Sequence, residues 1–292
     1  MIYAVTGATG HLGQLVVEAL ARQTPASQIV ALVRNPTKAS ELNKFAGSVR
    51  AFDYDKPEML RSALEGVTKL LLISSNAMGK RAAQHKAVID VAKAAGVELI
   101  AYTGILHGEK SPINLGKEHH ETERLVKQSG LRHVFLRNGW YIENYIAFLK
   151  PALANGVFPA SAGNGRISAA GRADYAEAAA LSLIQDDGST ERVYELAGDN
   201  AYTLSEFVAE AARQANKPIQ YKNLPEPDFA ALLTKFGLPP HLATDLAQSS
   251  SATAKDALFD DSRALSKLIG HPTASYKDVI AQGLKALTST QH

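Results

Sequence analysis

Three glycines near the start of the chain stand at spacings that suit a phosphate-binding turn. Gly7, Gly10 and Gly13 follow an apolar run over residues 2–5 and precede an apolar stripe of helical spacing over residues 12–20. In a strand-to-helix turn, the first glycine permits the tight bend, the second lets backbone approach a pyrophosphate, and the third lets the helix pack closely on the strand. The helix N-terminus then faces the phosphates. The pattern predicts a dinucleotide site; the alternative is a plain turn before a packed helix.

The residue after the second predicted strand indicates which dinucleotide binds. Folds that select NAD place a carboxylate there, about 20 residues after the glycine loop, where it accepts hydrogen bonds from the ribose hydroxyls. This chain has Arg34 at that place, followed by Asn35 and Lys38, and no carboxylate between residues 29 and 40. Because a guanidinium offers planar donors to a 2′-phosphate, we expect NADP(H). The alternative is a solvated loop arginine.

The tyrosine and lysine pair common in short-chain carbonyl reductases is missing. Such enzymes transfer a proton through a tyrosine whose pKa a lysine four residues on lowers, but none of the ten tyrosines has that lysine. In the corresponding helix, His119 and Glu123 are one turn apart and are expected to form an ion pair or a weak acid–base couple. A solvated helix face is an equal alternative, and two ligands are too few for a metal site.

The segment after the sixth predicted strand is the strongest candidate for the site of reaction. It joins the amide of Asn138 to the rings of Trp140, Tyr141 and Tyr145. A loop that follows a strand of a parallel sheet lies along the cofactor crevice. The amide donates and accepts hydrogen bonds, and the rings supply flat apolar surface with polar tips. We expect a pocket wall here; the alternative makes Trp140 and Tyr145 core residues.

Polar residues also end three other predicted strands at the same edge. They are Asp53 after the third strand, Ser74, Ser75 and Asn76 at the end of the fourth, and Thr103 with Gly104 at the end of the fifth. We expect these residues to face the cofactor. Asp53 suits either the adenine amino group or a cap on the turn that follows it.

Strand and helix patterns alternate along the first half of the chain. The predicted strands are 2–5, 28–33, 49–52, 69–74, 97–103 and 133–136, and the helical patterns between them are 38–45, 57–64, 81–95 and 115–128. Continuously apolar strands such as 70–73 are typical of a parallel sheet covered on both faces. The pattern predicts an α/β fold: a Rossmann-type, doubly wound parallel sheet.

After residue 137 the regular alternation of strand and helix patterns ends, and a smaller, mainly helical lobe is predicted. A helix over 142–153 leads into an irregular segment over 156–165; a helix over 172–184 and a strand over 193–196 return to the sheet. From residue 204 the chain is mostly helical, with a short strand over 219–221 and helices near 228–236, 262–268 and 276–287. We assign 1–136 and 171–199 to the nucleotide-binding domain, and 137–170 and 200–292 to the smaller substrate-binding lobe.

Composition excludes several other classes of protein. Of the 292 residues 46% are hydrophobic, which suffices for a large core, and the net charge of +2 without a long basic run argues against nucleic acid or a membrane as partner. With no cysteine there are no disulfides, thiolate metal sites or cysteine nucleophiles. The first strand leaves no room for a signal peptide and no apolar run has the length of a membrane span, so we expect a cytoplasmic location.

Stretches throughout the chain resemble the NmrA-like atypical short-chain dehydrogenase/reductases, and most closely their bacterial quinone-reducing members. The matching stretches are 6–13 (Thr6-Gly7-Ala8-Thr9-Gly10-His11-Leu12-Gly13), 25–31, 33–36, 70–75, 100–103, 118–119, 136–141 and 267–273. His11 departs from the family pattern, which has glutamine there. The resemblance implies NADPH contacts from Gly7, Ala8, Thr9, Gly10, His11, Leu12, Arg34, Ser74, Ser75, Asn76, Asn138, Gly139, Trp140, Tyr141, Ile142 and Glu143. It also implies that Asn138 lies near the reacting quinone.

A quinone accepts hydride readily and becomes a weakly basic hydroquinone anion, so no tyrosine and lysine pair is required. We therefore expect NADPH-dependent reduction of quinones by direct hydride transfer, with no flavin and no metal. Asn138, Tyr141 and His119 are the candidate catalytic residues, and a homodimer is compatible with the sequence. Two alternatives stay open: an NADP(H)-binding redox sensor without turnover, and a reductase of another small electrophile.

Overall fold

Seven parallel strands form the main sheet of the protein, in a computed structural model that describes residues 1–289. The strands are β1 (Tyr3–Val5), β2 (Ile29–Val33), β3 (Ser48–Ala51), β4 (Lys69–Leu72), β5 (Leu99–Ile105), β6 (Arg132–Asn138) and, after β7 (Val157–Ala160), β8 (Glu191–Leu196). Their order is β3-β2-β1-β4-β5-β6-β8. The chain builds one side of the sheet from β1 to β3 and the other from β4 onward, so a topological switch point lies between β1 and β4. The predicted doubly wound parallel sheet is confirmed.

Helices cover both faces of this sheet. In chain order the helices are α1 (His11–Ala21), α2 (Pro57–Ala63), α3 (Arg81–Ala94), α4 (Gly116–Ser129), α5 (Ile142–Ile146), α6 (Leu149–Asn155), α7 (Arg172–Ile184), α8 (Leu204–Ala215), α9 (Glu226–Lys235), α10 (Pro240–Thr253), α11 (Ala264–Ile269) and α12 (Tyr276–Ser289). Side chains alternate along β1: Tyr3 and Val5 join the core under α1 and α7, whereas Ala4 joins the core under α2, α3 and α4. Within residues 1–289, none of the helices has the length and apolar composition needed to cross a lipid bilayer.

A third core holds the remaining elements together. It is built around Phe158, Tyr202 and Phe207 and receives apolar residues from α8, α9, α10 and α12. Strand β7 pairs in parallel with β9 (Gln220–Asn223) at the edge of this core. The predicted division of the chain into two lobes stays a prediction; α11, which it assigns to the second lobe, packs against α7 and β8.

Four segments differ from the sequence-based predictions. The helix predicted over 38–45 is wrong, since the chain forms 3-10 turns at Pro36–Lys38 and Ser40–Lys44. Asn35 Oδ1 accepts the Thr37 N–H at 3.1 Å and so begins the first of these 3-10 turns. The helix predicted over 142–153 is divided into α5 and α6. Strand β7 lies where no regular element is predicted, since its partner strand is far along the chain. Helix α10 lies in the stretch predicted to be mostly helical, where no bounds are predicted for it.

Two histidines are buried where α3 and α4 meet the sheet. His85 is fully buried: its Nε2 accepts the Ser75 N–H at 3.1 Å, and its Nδ1 lies 2.9 Å from Thr122 Oγ1. His119 is 9% exposed and contacts the hydroxyl of Tyr102. Burial, aided by the positive charge of Arg81, lowers the pKa of each histidine to about 3. Both rings are therefore neutral in the folded protein at neutral pH.

The free energy of unfolding should fall as the pH drops below about 6.5. The unfolded chain protonates both histidines there, whereas the native rings, with pKa values of about 3, stay neutral. Each histidine should then contribute up to about 1.4 kcal/mol per pH unit of lost stability. Urea unfolding at a series of pH values between about 7.5 and 4.5 measures this slope.

His85→Gln should be less stable near neutral pH but should show a shallower decline toward acid. The control is His120→Gln, because His120 is on α4 beside His119 yet partly exposed. The same slope in wild type and His85→Gln would contradict the assignment of the acid sensitivity to His85.

Candidate active site

The glycine turn brings helix α1 unusually close to the end of β1. Gly7 has a φ of +58°, in the region that favours glycine, and its carbonyl accepts the Gly10 N–H at 2.8 Å. A Cβ on Gly13 would lie only 2.3 Å from the Gly7 carbonyl oxygen. Gly10 caps α1 without a side-chain hydrogen bond, and the first turn has no acidic residue. The first N–H groups of α1 are therefore left for an anionic ligand.

The side chain of Thr6 fixes the neighbouring strand end against this turn. Thr6 Oγ1 accepts the Ile73 N–H at 2.9 Å and lies within hydrogen-bond distance of Tyr54 Oη, at 2.6 Å. Tyr54 Oη also lies 2.9 Å from the Ile73 carbonyl, to which it can donate. Neither side chain was singled out from the sequence, although Thr6 belongs to the glycine motif, which was the available signal.

The polar residues that follow β4 are held by side chains of other elements. The Ser74 N–H donates to Thr103 Oγ1 at 2.9 Å, and the Ser75 N–H donates to His85. Thr103 is only 2% exposed, so its hydroxyl positions Ser74 and does not face the cavity described below. Asn76 is exposed.

Arg34 and Asp53, the two residues predicted for the adenosine end of the cofactor, lie outside the cavity that is described below. Arg34 is exposed directly after β2, and no described residue makes a hydrogen bond with its side chain. Asp53 is partly exposed, and its Oδ1 accepts the Asp55 N–H at 3.1 Å, as in the predicted cap on a turn. The arrangement leaves the Arg34 guanidinium free for an anion.

A cavity of about 580 Å³ opens at the carboxyl ends of β5 and β6. It brings together many of the residues predicted from the sequence, namely His11, Ser74, His119, Asn138, Gly139, Trp140, Tyr141 and Glu143. Others lie outside its lining: Gly7, Ala8, Thr9, Gly10, Leu12, Gly13, Arg34, Asp53, Ser75, Asn76, Thr103 and Ile142. Ile142 is fully buried, and its N–H donates to the Ala170 carbonyl at 3.0 Å, so its side chain belongs to the core.

Two buried oxygen atoms at the polar end of the cavity lack a hydrogen-bond partner among residues 1–289. Asn138 is 4% exposed; its Nδ2 donates to Tyr141 Oη at 3.2 Å, and its Oδ1 has no partner. Glu143 Oε1 accepts the Arg172 N–H at 2.8 Å, while Oε2 has no partner. Since an unpartnered buried polar atom costs about 1–3 kcal/mol, both oxygens are suited to accept hydrogen bonds from a ligand.

Tyr141 connects these groups. Burial raises the pKa of its phenol, which stays protonated at neutral pH. The phenol oxygen accepts from Asn138, so its own hydrogen is free to donate. The Arg172 guanidinium lies 5.1 Å from the centre of the Tyr141 ring and donates to Asn144 Oδ1 at 2.8 Å. Arg172 was not identified from the sequence, where nothing marks it beyond its position at the start of a predicted helix.

The opposite wall of the cavity is apolar. It consists of Phe148, Phe158, Phe229, Leu233 and Leu246, from the segments between α5 and α10. None of these residues was predicted, because they meet only through the tertiary fold. Trp140 and Tyr145 line the cavity and also pack on the third core.

The expected contact between His119 and Glu123 does not form. Instead, His119 Nδ1 lies 2.8 Å from Tyr102 Oη. Both Glu123 oxygens bind the Arg137 guanidinium, at 2.9 and 2.7 Å, because a bidentate ion pair outcompetes a single contact to a neutral imidazole. Across residues 1–289, no group of three or more potential ligands among His, Cys, Asp and Glu is placed to hold a metal ion.

Known proteins share this architecture. The model of the NmrA-like family matches residues 2–279. Quinone oxidoreductase 2 of Escherichia coli strain K12 is 53% identical over 278 residues, which cover 95% of this chain and 97% of that protein. The crystal structure of an NADPH-dependent quinone oxidoreductase from Escherichia coli, complexed with NADPH, superposes with a TM-score of 0.92 at 52% identity, covering 96% of this chain and 99% of that one.

A second solved structure extends the comparison. The Citrobacter sp. triphenylmethane reductase complexed with NADP(H) superposes with a TM-score of 0.90 at 33% identity and covers 96% of this chain and 99% of that one. The family match covers nearly the whole chain, including the glycine turn and the Asn138 segment. The chain therefore belongs to the NmrA-like family.

Proposed function

We propose that this protein is an NADPH-dependent quinone reductase that transfers hydride directly, without a flavin. The observation that carries the proposal is the cavity at the ends of β5 and β6, where unpartnered buried oxygens face an aromatic and aliphatic wall. The relative named quinone oxidoreductase 2 and the NADPH-bound structure support it.

The residues present fit a dinucleotide phosphate. The N–H groups at the start of α1 and the tight glycine turn suit the pyrophosphate, and the exposed Arg34 suits a 2′-phosphate. The unpartnered Asn138 Oδ1 and Glu143 Oε2 suit the N–H and O–H groups of a carboxamide and a ribose. When bound, NADPH would supply the hydride. Asp53 stays a proposed contact of the adenine, and Ser74, Ser75, Asn76 and Thr103 proposed contacts or supports of the cofactor.

The chain's own groups would orient the quinone and stabilise the charge it gains. Trp140, Phe148 and Phe158 offer apolar surface for a flat ring. The Tyr141 hydroxyl has a free hydrogen, and Asn138 Nδ2 has a second one beyond that used on Tyr141. Either donor can stabilise an oxyanion next to this apolar surface. A proton from solvent then completes the hydroquinone. The cytoplasmic location and the homodimer stay predictions.

Purified protein should oxidise NADPH steadily when a simple quinone is added, and NADH much more slowly. The cavity supplies donors for a quinone oxygen but no tyrosine and lysine pair for ordinary ketones. Loss of NADPH absorbance with a panel of benzoquinones and naphthoquinones, with and without added flavin, measures the activity. Binding of NADPH without oxidation by any quinone would favour a sensor instead.

Arg34→Glu should weaken NADPH binding by about 100-fold, because it replaces a charge-assisted donor to phosphate with a repulsive carboxylate. NADH, which lacks the 2′-phosphate, should change by less than about threefold. Quenching of protein fluorescence by each dinucleotide gives the two dissociation constants. Lys93→Glu, in the last turn of α3, is the charge-matched control. Equal losses for both dinucleotides would refute the phosphate contact.

Asn138→Ala should lower kcat with quinone by about 100-fold, the usual effect of removing one donor to a developing oxyanion. NADPH affinity should fall less, since the phosphate end of the site is untouched. Asn138→Asp keeps the size but loses the donor and should be equally slow. Asn155→Ala, exposed at the end of α6, is the control. An unchanged kcat in both Asn138 variants would remove this residue from the reaction.

A further inference from the structure

A directed chain of hydrogen bonds runs behind the cavity. The Ser75 N–H can only donate, so His85 Nε2 accepts it at 3.1 Å. The hydrogen of this neutral ring is therefore on Nδ1, which donates to Thr122 Oγ1 at 2.9 Å. Thr122 in turn donates to the Glu118 carbonyl at 3.0 Å. Each hydrogen bond in this series, from the Ser75 N–H to the Glu118 carbonyl, therefore has a defined donor and a defined acceptor.

The hydrogen-bond partners around Tyr102 determine the direction in which its hydroxyl group donates. Tyr102 is fully buried, and burial raises its pKa, so the phenol keeps its hydrogen. Thr122 Oγ1 keeps a second lone pair, but among the described residues the hydroxyl group of Tyr102 forms its hydrogen bond with His119 and not with Thr122, whose hydrogen is used on Glu118. The better acceptor is the lone pair of His119 Nδ1, 2.8 Å from the phenol oxygen. Tyr102 thus donates to His119.

Donation to Nδ1 leaves the hydrogen of the neutral His119 ring on Nε2. That nitrogen makes no hydrogen bond to any described residue, and His119 lines the same cavity as Asn138 and Gly139. We propose that Tyr102 holds His119 as the Nε2–H tautomer and that this N–H donates a hydrogen bond to the quinone oxygen on which negative charge develops. Tyr102 is then a positioning residue for His119. The inference rests on the proposed quinone reduction.

A neutral donor suits this reaction. The quinone gains one hydrogen and two electrons from the hydride and leaves as the hydroquinone after one proton from water is added. His119 therefore has no net proton to supply, and it stabilises the intermediate anion by a hydrogen bond alone. Burial beside Arg81 and His85 keeps the ring neutral, with a pKa of about 3. An imidazolium at this position would lose its hydration and would lie near the positive charge of Arg81, and both effects disfavour the charged ring.

The tautomer is tested first, without turnover. Nitrogen-15 NMR of the histidine side chains should show Nε2 protonated and Nδ1 unprotonated for His119, whose signals are identified by their loss in His119→Gln. Tyr102→Phe should shift His119 toward a mixture of the two tautomers, because the donor to Nδ1 is gone. A predominant Nδ1–H tautomer in the wild type would overturn the proposal.

Kinetics then test the role of the donor. His119→Leu should lower kcat with quinone by about 100-fold, while the dissociation constant for NADPH, measured by fluorescence, should stay within about twofold. His119→Gln should recover part of kcat, because its side-chain N–H occupies a similar place. His120→Leu, on the adjacent position of α4, should match the wild type.

The outcomes separate the two proposals. A wild type that turns over quinone while His119→Leu is equally fast would overturn the role of His119 and leave quinone reduction standing. A wild type that oxidises NADPH with no quinone would overturn quinone reduction and the role of His119 together. Failure of His119→Gln to recover any activity would also contradict donation from the side-chain N–H.

Discussion

The close approach of helix α1 to the end of β1 is the constraint on which the rest of the site depends. A Cβ on Gly13 would come within 2.3 Å of the Gly7 oxygen and 2.8 Å of Ala8 Cα, so even alanine would push the helix away. Because α1 also packs against α7, such a shift would move the helix N-terminus and the start of the Arg172 helix together. The Ala8 N–H bond to Leu32 and the Thr6 N–H bond to Leu71 fix the turn to β2 and β4. The position of the α1 N-terminus and the packing of the sheet therefore depend on the same few atoms.

The main sheet was predictable from the sequence because its signals are local. Continuously apolar strands such as Lys69–Leu72, glycine at helix ends and the order of strand and helix define a doubly wound sheet without reference to distant residues. The second lobe lacks such signals. Strand β7 is four residues long and pairs with β9, far along the chain, so its pattern is indistinguishable from a loop until the pairing is known. The cavity wall supplied by Phe229 and Leu233 was unpredictable for the same reason.

At the polar end of the cavity, some residues could be predicted from the sequence and some of their contacts could not. Asn138 and Tyr141 were found because the end of a parallel strand faces the ligand crevice. The contact between His119 and Tyr102 was not predicted. Helical spacing places Glu123 within reach of His119, but it does not show which residues pack on that face of α4. In the fold, Arg137 on β6 takes both oxygens of Glu123, and the same guanidinium donates to Glu195 at 2.8 Å. With its carboxylate occupied, the helix presents His119 to Tyr102.

The division between a polar floor and an apolar wall follows from where the two parts originate. The floor comes from the ends of β5 and β6 and from α4, whose backbone groups are already paired within the sheet and helix, so its free donors and acceptors are side chains held by packing. The wall comes from short elements whose apolar residues would otherwise face water. An atom such as Asn138 Oδ1, buried without a partner among the described residues, destabilises the protein and is stabilised when a donor reaches it. A hydrogen bond to such an atom is stronger beside an apolar wall, because the local dielectric constant is lower there than in water.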